Sequence, residues 1–213
     1  MFRYLSALFE NFYRARKTLL FVNLFVFALG ILLGCLYLHL FAADIPAPSA
    51  EEFSAVYDLL KNRGELGFFE LYFLSFFDAL KTLGIMFLSA ITVAGLPITF
   101  LALGYKGFSI GVMSTTVFKI FFQNALALNI YLILPQSILI VPLLMLFSCE
   151  CADFSICLWS MIKGSKKFRG SFEQTLLVYL IKSVLFLALL AALCFIQTLI
   201  IELFLYVANS FLT

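Results

Sequence analysis

The sequence has 213 residues, of which 64% are hydrophobic and 12% charged, with a mean hydropathy of +1.09 and a formal net charge of +2. Soluble domains carry about 25% charged residues, so this composition excludes a water-facing globular surface and points to lipid as the solvent. The basic residues form no stripe interleaved with aromatics, which argues against nucleic acid as a partner.

The predicted elements begin with a basic segment, 1–17, ahead of a first span at 19–42 that carries no Asp, Glu, Lys or Arg. About 20 such residues cross a ~30 Å hydrocarbon core. The apolar run continues past the length of a signal peptide without a clear small-residue cleavage site, so it reads as a retained anchor. Gly30 and Gly34 stand four apart, a spacing that lets another helix approach closely. A segment at 43–79 is expected outside the membrane, broken from the span by Asp44, Pro46 and Pro48. Ser49 followed by Glu52 is a capping-box signal for a short helix, with Phe53, Val56, Tyr57 and Leu60 on one face. That helix would lie on the membrane surface or against its own bundle. The aromatic run from Phe68 to Phe77, interrupted by Glu70 and Asp78, reads as an interfacial approach to a second span at 80–103. This span contains Gly84, Ser89, Ala90, Ala94 and Gly95, then Pro97.

Gly104-Tyr105-Lys106-Gly107 reads as a tight turn between two glycines, leading to a third span at 108–128. Lys119, the charge in that span, would snorkel to the interface or meet a carboxylate. The fourth span, 130–162, carries Pro135 and Pro142, which predict kinks or a re-entrant section. Its Glu150 and Asp153 are near enough to the following basic loop, 163–175, to pair with it. That loop holds Lys163, Lys166, Lys167 and Arg169. A fifth span follows at 176–207, with Glu202 near its far end. The fold class is therefore all-α: residues 1–213 form one polytopic integral membrane helix bundle of about five transmembrane helices, with an amphipathic helix in the first outside loop.

An amino terminus in the cytoplasm puts Arg3, Arg14, Arg16, Lys17, Lys106, Lys163, Lys166, Lys167 and Arg169 inside, nine of the 14 basic residues. The outside loop keeps Lys61 and Arg63. Excess Lys and Arg on the cytoplasmic side sets orientation, so the expected arrangement is a multi-pass cell-membrane protein with its carboxyl terminus outside.

No constellation for catalysis, metal or cofactor is evident, so the chain reads as a non-enzyme. Cys35, Cys149, Cys151, Cys157 and Cys194 are odd in number and lie in apolar runs; they lack CxxC-type spacing, and the single histidine, His39, is distant from most of them. They read as small packing residues rather than disulfides or zinc ligands. Lys119, Glu150 and Asp153 are candidates for intramembrane charge pairing, and with Glu202 they motivate an alternative reading as a small transporter or channel subunit.

The motifs GLPITFL at 95–101, GYKGFSIG at 104–111 and LPQSILIVP at 134–142 resemble the stage II sporulation protein M family. Five spans with an enlarged first outside loop match the family's plan along the whole chain. The resemblance implies structural roles for Gly95, Pro97, Gly104, Lys106, Gly107, Gly111, Pro135, Gln136 and Pro142. Gln136 is placed to hydrogen-bond backbone groups freed by its proline. Related proteins outside sporulation often have a histidine and an acid where this chain has Gln136 and Val141, so it looks more like the sporulation branch. The resemblance further implies a scaffold that anchors two extracytoplasmic peptidoglycan hydrolases, stage II sporulation proteins D and P, during forespore engulfment. The expected partners are then the bilayer, those hydrolases and, as a candidate, a second copy of the chain. A membrane-shaping protein of the same fold outside sporulation is a further alternative.

Overall fold

The computed structural model describes residues 2–41, 68–92, 95–120, 126, 129–162 and 172–212. The described residues form five long helices: α1 Phe2–Phe41, α2 Phe68–Ala90, α3 Gly95–Ile120, α4 Leu134–Ile162 and α5 Phe172–Leu212. Each contains a stretch long and apolar enough to cross a membrane, at Lys17–Leu40, Phe68–Ala90, Gly95–Lys119, Leu134–Ile162 and Glu173–Leu203. The all-helical, five-span expectation therefore holds. The amphipathic helix expected in the first outside loop and the basic cluster Lys163, Lys166, Lys167 and Arg169 lie outside the described residues.

Two boundaries differ from expectation. The break between the second and third spans falls after Ala90 and before Gly95, not at GYKG, which is interior to α3. Apolarity from 80 to 103, interrupted by one charge, Lys81, concealed the break. Its physical signals are Gly95 and Pro97, which open α3: proline is tolerated in a first helical turn, where its missing N–H has no partner to lose. Thr92 closes the reversal, its amide donating to the Ser89 carbonyl at 2.9 Å while its own carbonyl accepts from the Gly95 amide at 3.0 Å. Consequently the aromatic run from Phe68 is the first half of a spanning helix rather than an interfacial approach.

The glycines of GYKG serve close packing instead of a turn. A Cβ on Gly107 would strike the Phe27 carbonyl oxygen, and one on Gly111 the Ile31 carbonyl oxygen. Gly30 and Gly34 answer from α1 against the backbone at Gly104, Phe108 and Val112. Partner numbers rise together along both chains, so α1 and α3 are parallel, with backbones in direct contact. Small residues permit this in lipid, where dispersion between closely fitted surfaces replaces the hydrophobic drive. Gly30 and Gly34 are thus engaged within the chain.

α4 is the hub, packing against all four other long helices. Around it α1 packs on α3, α3 on α2 and α2 on α5. A π-helical turn at Asn129–Ile133 leads into α4, and Pro135 sits at its second residue. Pro142 lies inside α4, which continues through it as one helix with no re-entrant section. Met86, Leu103, Ile140, Leu144, Phe147 and Leu190 fill the core between the helices.

Candidate functional site

Of the predicted site residues, Lys106 moves furthest from expectation. It is the twelfth residue of a 26-residue helix, at mid-span, and its ammonium pairs with the carboxylate Oδ2 of Asp78 on α2. Asp78 is likewise at mid-span, the eleventh residue of 23. Gln136 on α4 donates from Nε2 to the same oxygen at 3.5 Å, so its bond goes to a neighbouring helix rather than to backbone freed by proline. Three helices are therefore clipped at one level. The Lys106 side chain is 5% exposed and that of Asp78 56%, so the cation is sealed inside the bundle and the acid opens outward.

The second clip joins α4 to α5. Glu150 Oε2 accepts from Lys182 Nζ at 2.8 Å, with the acid 9% exposed and the lysine 45%. Glu150, 12 residues or about 18 Å before the end of α4 at Ile162, thus pairs with a lysine inside the next span, while the basic loop lies outside the described residues. Asp153, one turn further on, is half-buried and also makes a contact. A charged side chain at the bilayer centre costs roughly 2.5–3.5 kcal/mol on insertion scales, and pairing within the bundle offsets that cost.

Neutral hydrogen bonds continue the fastening. Asn23 of α1 is fully buried; its Nδ2 donates to the Met145 carbonyl at 3.2 Å and to Cys149 Sγ at 3.3 Å, and its Oδ1 accepts from Ser148 Oγ at 3.1 Å. Tyr179 of α5 donates to the Phe87 carbonyl at 3.3 Å and lies 3.5 Å from Cys151 Sγ. Its ring is stacked between Phe87 and Phe154, with centroids at 5.5 and 4.2 Å. Ser155 Oγ donates to the Thr92 carbonyl at 3.2 Å and pins the α2–α3 reversal to the hub. Lys119, expected to snorkel or to meet a carboxylate, donates to the Leu38 carbonyl at 2.8 Å, near the end of α1, where the helix dipole favours a cation.

Asp78, Lys182, Asn23, Ser148 and Tyr179 were not anticipated from the sequence as paired groups. Lys182 and Asn23 carried a signal, since each is a strongly polar residue within an otherwise apolar run. Their partners are more than 30 residues away and were not legible. The arrangement defines a polytopic membrane helix bundle whose intramembrane polar groups chiefly bind helix to helix.

The family model for stage II sporulation protein M matches residues 23–205, and the chain belongs to that family. Membership makes it a sporulation-related, multi-pass membrane protein. Searches of curated proteins and of solved structures each returned no match.

Proposed function

We propose that this chain is a membrane scaffold that anchors and localises peptidoglycan hydrolases, stage II sporulation proteins D and P, for septal wall remodelling and forespore engulfment. The family match over residues 23–205 carries this reading. The helix-to-helix ion pairs support it, since a protein that holds other proteins at one place needs a fixed shape more than a mobile polar path. The chain itself breaks no bonds in this reading. Its amino terminus is cytoplasmic: Arg3, Arg14, Arg16, Lys17, Lys163, Lys166, Lys167 and Arg169 fall inside, against Lys61 and Arg63 outside, even with Lys106 reassigned to mid-membrane. The segment between α1 and α2 then faces the hydrolases.

The test is a deletion strain with complementation, together with affinity purification from membranes of sporulating cells. Arrest of engulfment and co-purification of both hydrolases are expected. Normal engulfment with neither hydrolase recovered refutes the reading. For orientation, Lys166→Cys should resist a membrane-impermeant thiol reagent applied to intact cells, and strong labelling would reverse the topology.

A transport role is the second reading, favoured by two ion pairs located well inside the spans. Neutralising Glu150 and Asp153 together in reconstituted vesicles separates the two: loss of solute or ion flux supports transport, and complete engulfment with both changes supports the scaffold.

A further inference from the structure

The outward face of α2 is unlike the other lipid-facing surfaces. Glu70, Leu74, Phe77, Lys81 and Leu88 are all exposed along it, and Gly84 continues the series. Their spacing alternates four and three residues, the repeat of a helix seam that receives another helix. A Cβ placed on Gly84 meets nothing within 4 Å, so the seam holds a vacant notch at its centre. Lys81 has no hydrogen-bond or ion-pair partner among the described residues. It stands nine residues, about 14 Å, from Ala90 and 13 residues, about 20 Å, from Phe68. A lysine stem of roughly 6 Å reaches neither interface from there. Beside it, Asp78 is more than half exposed and receives both Lys106 and Gln136 on a single oxygen, Oδ2.

We propose that this face docks a second copy of the chain, with Lys81 of each copy pairing with Asp78 of the other. A two-fold axis along the membrane normal sets the two α2 helices parallel and at equal depth. Asp78 and Lys81 then differ by three residues, about 4.5 Å of rise, so both reciprocal pairs form from one surface. The two carboxylates offset the apposition of the two lysines, and Gly84 lets the backbones approach. An unrelated helix would need its own base and acid at matching depths; the chain's own surface already supplies them. Gly30 and Gly34 cannot serve this purpose because α3 occupies them. The inference stands independently of the scaffold reading.

The experiment reconstitutes the fluorescently labelled full chain in liposomes over a range of protein-to-lipid ratios and counts subunits by single-molecule photobleaching. Two-step bleaching should dominate at high ratio. Lys81→Glu should weaken the dimer at least tenfold, while Lys81→Arg keeps it. Because a charge reversal in a span can impair folding, a photo-cross-linking residue is placed at Leu88 in the otherwise native chain, with Val184 on the exposed face of α5 as control. Leu88 should yield a covalent homodimer and Val184 none. Single-step bleaching at every ratio, native dimerisation of a folded Lys81→Glu chain, or cross-linking of Leu88 in cell membranes only to a different protein would each overturn the proposal.

Discussion

Replacing Gly34 by alanine tests the α1–α3 contact where the two backbones meet directly. The added Cβ would sit 3.0 Å from the Val112 amide nitrogen and 3.1 Å from the Phe108 carbonyl carbon, and closer still to the Phe108 oxygen. Optimal contacts between non-bonded carbons lie near 3.5–4.0 Å, so the helices must part by roughly half an ångström to an ångström. The obstructing atoms are backbone within a helix and cannot rotate aside. A gap of that size forfeits about a quarter to a half of each dispersion contact along the seam, and overpacking of this kind costs about 1–3 kcal/mol. Gly84→Ala is the internal control: it has free space and gains helix propensity, so it should be neutral or stabilising by up to about 1 kcal/mol in monomeric detergent micelles. Unfolding followed by circular dichroism across a denaturing-detergent titration reads both. Equal midpoints for Gly34→Ala and the native chain would refute direct backbone contact as the basis of this pairing.

The ion pairs make asymmetric predictions by the same assay. Asp78→Ala strands the sealed Lys106 charge and should cost on the order of 3–5 kcal/mol, more than Lys106→Met, which leaves an acid already open on one side. At the other clip the order reverses: Lys182→Met removes the cation that faces the buried Glu150 and should destabilise more than Glu150→Gln. Asn23→Ala removes three polar contacts between α1 and α4, and at roughly 0.6 kcal/mol per membrane hydrogen bond should cost about 1–2 kcal/mol. A double change, Asn23→Ala with Ser148→Ala, should cost less than the sum of the single changes, because the two side chains share a bond.

The number and class of the helices were legible because the signal is local: twenty or so apolar residues have one stable solution in lipid. The break between Ala90 and Gly95 was not, since Gly84, Gly95, Gly104 and Gly107 are identical letters with different tasks. Gly95 opens a helix, Gly107 admits a neighbouring backbone, and Gly84 faces open space. Only the placement of the neighbouring helices distinguishes them. Lys106 followed the same error, because a lysine between two glycines reads as a turn until Asp78 is brought beside it. Glu150 shows the complementary limit. A carboxylate within an apolar run announces that it needs a partner, but only the crossing of α4 and α5 brings Lys182, 32 residues away, to Glu150.

Five apolar rods of similar length could pack around one another in many orders, since lipid tails solvate one leucine surface as well as another. What discriminates is the set of contacts with direction and depth. Gly30 and Gly34 fix α1 against α3 in parallel register, and Asp78, Lys106 and Gln136 lock α2, α3 and α4 at one level. Glu150 with Lys182, and Tyr179 with Phe87, then assign α5 its place against both α4 and α2. Any exchange of two helices strands a charge in hydrocarbon or opens a glycine seam, so each wrong order loses several kcal/mol at once. Such a bundle holds the two ends of the segment between α1 and α2 at a fixed separation, where α1 ends near Leu38 under the Lys119 clamp and α2 begins at Phe68 against Phe195. Cutting the Lys119 contact by Lys119→Met should therefore loosen the carboxyl end of α1, seen as faster amide exchange there, while the Asn23 anchor earlier in the same helix stays protected.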